Sequence, residues 1–126
     1  MGQGLYTMIA LGTTSIPERP PAVEEDDWYG WSDALDTVTE GRIRDQYEAE
    51  PPYLAIPLAI SDGFLQEYWR VPVELDRAVL PVAELSAFVA DHLENATRLW
   101  KQAQEEVRKT GRELPDAVLL IINDWD

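Results

Sequence analysis

The sequence predicts an α+β fold with elements in the order β, α, β, β, α, β, the ferredoxin-like string in which two helices cover one sheet face. Three observations carry this expectation. Two short runs suit strands: Leu5 to Leu11 is apolar and β-tolerant, and Ala117 to Ile122 is continuously apolar. A long run of apolar residues at steps of three and four marks a helix between them. Proline and glycine breaks cut the remainder into pieces of single-element length.

The elements follow in order. Leu5-Tyr6-Thr7-Met8-Ile9-Ala10-Leu11 reads as a buried strand, ended by Gly12-Thr13-Thr14. Residues 15–30 contain Pro17, Pro20 and Pro21 and then Glu24-Glu25-Asp26-Asp27, so a Pro-rich acidic loop or arm is expected. A shorter helix is expected over about 32–49, capped by Ser32 or Asp33, with Leu35, Val38, Ile43 and Tyr47 on one face. Gly41 stands inside it as a weak point, and Pro51-Pro52 closes it. Tyr53 to Ile60 reads as a strand, and Pro57 consigns it to an edge or a bulge because proline donates no ladder hydrogen bond. Ser61-Asp62-Gly63 is a turn, and Phe64 to Val73 reads as the returning strand of a hairpin.

The long helix is expected over 82–110. Val82, Leu85, Val89, Leu93, Ala96, Trp100, Ala103 and Val107 form one stripe, with Pro81 suited to its first turn and Gly111 to its termination. Arg108, Lys109 and Arg112 complement the negative end of its dipole. Ala117 to Ile122 is apolar without alternation, which predicts a strand covered on both faces and central in the sheet. At 126 residues the chain is expected to form one domain, 1–126.

Composition bounds the chemistry. The chain carries no cysteine, which removes disulfides, thiolate metal sites and cysteine nucleophiles. Its start, Met1-Gly2-Gln3-Gly4-Leu5-Tyr6, has neither the charge nor the apolar length of a secretory signal, and Tyr6 breaks the myristoylation pattern. A cytoplasmic protein without membrane contact is therefore expected. Net charge is −14, and it is unevenly spread: fifteen acids against four bases up to Asp76, nine against six beyond it. Such a field repels phosphate backbones, so no direct nucleic-acid binding is expected, and it attracts basic protein surfaces.

Motifs for catalysis are missing from the one-letter pattern. His92 is the sole histidine, no HExxH spacing occurs, and no serine sits in a GxSxG elbow. On a helix Asp91 and His92 project about 100° apart, so His92 reads as a boundary residue rather than a ligand. No Gly-rich phosphate loop is present. Neither a catalytic residue nor a metal or cofactor is assigned. Asp124 and Asp126 flank Trp125 after a predicted strand, where alternation would point both carboxylates one way. At the end of the chain they read as a solvated tail.

The partner-binding candidates are Glu24, Glu25, Asp26, Asp27, Trp28, Tyr29 and Trp31. Aromatic side chains supply contact area at low entropic cost, and neighbouring carboxylates steer a basic partner. The competing reading folds the two tryptophans onto the core. The function expected is a non-enzymatic acidic binding protein that neutralises a basic target, as an immunity protein, antitoxin or phage-type nucleic-acid mimic would. A small carboxylate-based, Mg-dependent enzyme and a structural subunit of a phage or secretion system are the alternatives.

Overall fold

The computed structural model describes residues 5–16, 34–46, 51–75, 79 and 81–125, with Trp125 described by its backbone alone. The acidic-aromatic candidates at 24–31 lie outside these residues, as does most of the expected loop at 15–30.

The elements are β1 (Leu5–Thr13), a helical turn α1 (34–38), β2 (Arg44–Gln46), β3 (Tyr53–Ile60), α2 (Gly63–Tyr68), β4 (Val73–Glu74), α3 (Leu85–Phe88), α4 (Glu94–Arg108) and β5 (Val118–Trp125). They build an α+β fold around a five-stranded sheet in the order β2-β3-β1-β5, with β4 beside the far end of β3. Among these strands the pairings are antiparallel except the two-residue β3–β4 contact. The expected β, α, β, β, α, β string is not what the chain forms. An extra helix and strand, α2 and β4, stand between β3 and the long helix.

Three local corrections explain that difference. The returning strand expected at Phe64 to Val73 is helical up to Tyr68 and strand only at Val73, because the Asp62 carboxylate accepts from the amides of Phe64 at 2.9 Å and Leu65 at 3.1 Å and starts a turn there. The expected helix over 32–49 is helical only at 34–38 among the described residues. Glu40 (φ 58°) and Gly41 (φ 73°) then turn left-handed, and Arg44–Gln46 joins the sheet instead. Thr39, fully buried, secures this exit by donating to the Leu35 carbonyl at 2.8 Å and accepting from the Ile43 amide at 3.3 Å. The third correction concerns Ala117 to Ile122. Its strand is not central: β5 pairs with β1 alone among the described residues and forms the sheet edge.

β3 is central and carries the bulge that Pro57 demands. Ile9 faces Ala59 and Ala10 faces Pro57, which leaves Leu58 as the extra residue. On its other side β3 meets β2 at residues 53–55 and β4 at 59–60. In the gap between them, Arg42 donates to the Pro57 carbonyl at 3.3 Å.

The sheet has a core on each face. One face packs Leu11, Leu54, Ile56 and Leu58 against Leu99, Trp100, Ala103 and Val107 of α4 and Leu35 of α1. The other gathers Tyr6, Met8, Ala10, Tyr53, Ala55 and Ile60 beneath Leu65 and Val71. The long helix occupies its expected place, but its stripe is interrupted. Val89–Leu93 is a π-helical turn, and one added residue rotates the register by about 100°. Val82, Leu85 and Val89 are accordingly exposed, whereas Phe88 and Leu99, outside the expected stripe, are buried.

Candidate functional site

The site begins with how β5 is delivered. Gly111 (φ 83°) ends the helix region, and the connection is pinned back onto α4. Trp100 Nε1 donates to the Pro115 carbonyl at 3.0 Å, and Gln104 Nε2 donates to the Leu114 carbonyl at 3.1 Å and to Asp116 Oδ1 at 3.0 Å. These bonds bring the chain to the free edge of β1, where eight consecutive residue pairs form from Gly12↔Val118 to Leu5↔Trp125.

The resulting edge is apolar. Val118 is 56% exposed, Leu119 55% and Ile121 71%. Edge strands ordinarily carry charge or proline to discourage pairing, and Val118 to Asn123 carries neither. Leu119 and Ile121 share the helix-side face with Leu11 and Ile9, while Leu120, Ile122 and Asp124 share the opposite face with Ala10, Met8 and Tyr6.

Along this second face runs a cavity of about 370 Å³. One wall is Thr14, Pro51 and Tyr53, and the other is the five consecutive residues Leu120 to Asp124. Alternate strand residues point to opposite faces, so a wall of five in a row includes the strand's own backbone. The cavity is a trough beside the β5 edge. At Gly12 the β1 and β3 backbones approach too closely for any side chain. A Cβ there would overlap the Leu54 carbonyl oxygen and lie 2.6 Å from the Ala55 Cβ.

Tyr53 and Asp124 line the trough from opposite walls. Tyr53 is 1% exposed, and its hydroxyl completes no hydrogen bond of good length and angle. Tyr6 is nonetheless its polar neighbour, as close as a loose hydrogen bond. Burial raises the Tyr53 pKa, the Tyr6 contact opposes this, and the carboxylates of Asp124 and Asp45 add to the rise. Asp124 is half-buried opposite Tyr6, not the end of a solvated tail, while Asp126 lies outside the described residues.

Arg44 donates to the carbonyls of Gly41 at 2.9 Å and Ile43 at 2.7 Å, and with Arg42 it is partly buried; desolvation lowers both their pKa values. His92 is half-buried, edge-on to Phe88 at 5.6 Å. Among the described residues no three His, Asp or Glu side chains are grouped to hold a metal ion, and no helix is long and apolar enough to cross a membrane.

Sequence reasoning did not single out Tyr6, Tyr53 or the β5 edge. The absence of charge in Val118 to Asn123 reads equally as a central strand, and two tyrosines on different strands show no sign in the sequence of meeting. No protein-family model, curated protein or solved structure matches this chain.

Proposed function

We propose that this protein is a non-enzymatic acidic binder that neutralises a basic protein, holding an extended segment of that partner as an added strand along β5. Toxins and nucleic-acid-handling proteins with phosphate-binding grooves are the target classes that suit its charge. The observation that carries the reading is the eight-residue edge strand with Val118, Leu119 and Ile121 exposed. Strand addition uses the unpaired backbone groups of such an edge for affinity and alternate side chains for specificity. Net charge of −14 selects a basic occupant and opposes a second copy of the same chain, since two such bodies repel.

Affinity capture from the native host tests this with wild type and Leu119→Arg, at low and high salt. A basic protein retained by wild type, released by salt and lost with the variant is expected. Retention of no basic protein in either salt overturns the proposal, as does a β5-paired dimer in light scattering.

A further inference from the structure

We propose that the trough between Tyr53 and β5 is an arginine subsite: it takes the guanidinium of an arginine on the partner's added strand. The source of that arginine rests on the strand-addition reading; the chemistry of the subsite does not. A strand laid beside β5 projects every second side chain onto the face that carries Leu120, Ile122 and Asp124. Those side chains enter the trough. Leu120 and Ile122 line it as an arginine's methylene stem requires, and Asp124 stands where the charged head arrives.

The hydrogen-bond inventory fits the same ligand. A guanidinium brings five donors and no acceptor. A carboxylate accepts at up to about four positions, enough to serve a guanidinium beside any bond it already makes. The Tyr53 hydroxyl lies buried behind that lining, with no well-formed bond of its own. A planar fork meets a carboxylate with two parallel bonds, which an ammonium cannot do. Anions are disfavoured by the Asp124 carboxylate in the lining. The volume, about 370 Å³, is near the lower limit for ligand pockets and suits one side chain.

The full chain is titrated by NMR with Nα-acetyl-arginine methylamide and with its citrulline counterpart, which keeps the shape and loses the charge. Saturable shifts at Tyr53, Ile122 and Asp124 are expected, with an arginine Kd on the order of 1 mM and about fivefold tighter than for citrulline. Asp124→Asn, nearly isosteric, abolishes that preference. Leu119→Arg, which breaks partner capture, leaves it intact, so the subsite and the strand-addition reading fail separately. Equal shifts from both compounds, or shifts at surface acids with none at Tyr53, overturn the proposal.

Discussion

Tyr53 meets Tyr6 across one face of the sheet although the strand register sets them far apart. Tyr6 faces Asp124 near the start of β1, whereas Tyr53 begins β3 next to the Thr13↔Leu54 pair at the end of β1. Eight residues separate those levels, roughly 26 Å on a flat sheet. Their contact requires a strongly coiled sheet whose diagonal corners fold together. The bulge between Ile9 and Ala10 and the missing side chain at Gly12 supply the coil.

Gly12→Ala tests that geometry. The added methyl carbon meets β3 backbone, which has no rotamer to escape into. A loss of about 3 kcal/mol or more in urea unfolding is expected, at the upper end for overpacking. A neutral effect would show that the two strands are not in such close approach.

Tyr53→Phe should be nearly neutral, changing stability by less than about 1 kcal/mol at neutral pH, because it removes a buried hydroxyl without a well-formed bond. The pH dependence distinguishes it further. The folded state raises the Tyr53 pKa above the ordinary value of about 10, so above that pH the unfolded chain releases the proton first. Wild-type stability is then full below about pH 10 and declines as pH rises toward the folded pKa. Thermal melts from neutral to alkaline pH should show a steeper decline in wild type than in Tyr53→Phe; parallel curves would place the phenol in water.

Trp100→Ala removes a buried ring and the bond to Pro115 that returns the chain to β5. We expect a loss of about 3–5 kcal/mol. Val82→Ala, on the same helix but exposed, should stay within about 0.5 kcal/mol. Comparable losses at the two positions would mean that the stripe is continuous and the π-turn absent.

Asp62→Ala removes the cap of α2 and should cost about 1 kcal/mol. Amide exchange at Phe64 and Leu65 should rise with it. Unchanged exchange would detach the carboxylate from the start of that helix.

Local chemistry determined several features from the residues alone. The apolar run of β1, the long helix and its glycine ending, the bulge forced by Pro57 and the acidic character all follow from short-range pattern and charge. The α+β class follows with them. Tertiary structure alone decided that Asp62 begins a helix rather than a hairpin turn, because a capping carboxylate and a turn carboxylate look alike in sequence. It alone decided that Val118 to Asn123 lies at an edge. An apolar run records only that water is unwelcome, whereas position in a sheet depends on which neighbour the connection reaches, here through Trp100 and Gln104. The meeting of Tyr6, Tyr53 and Asp124 has the same origin: coiling brings together residues from three strands, and no one segment encodes it.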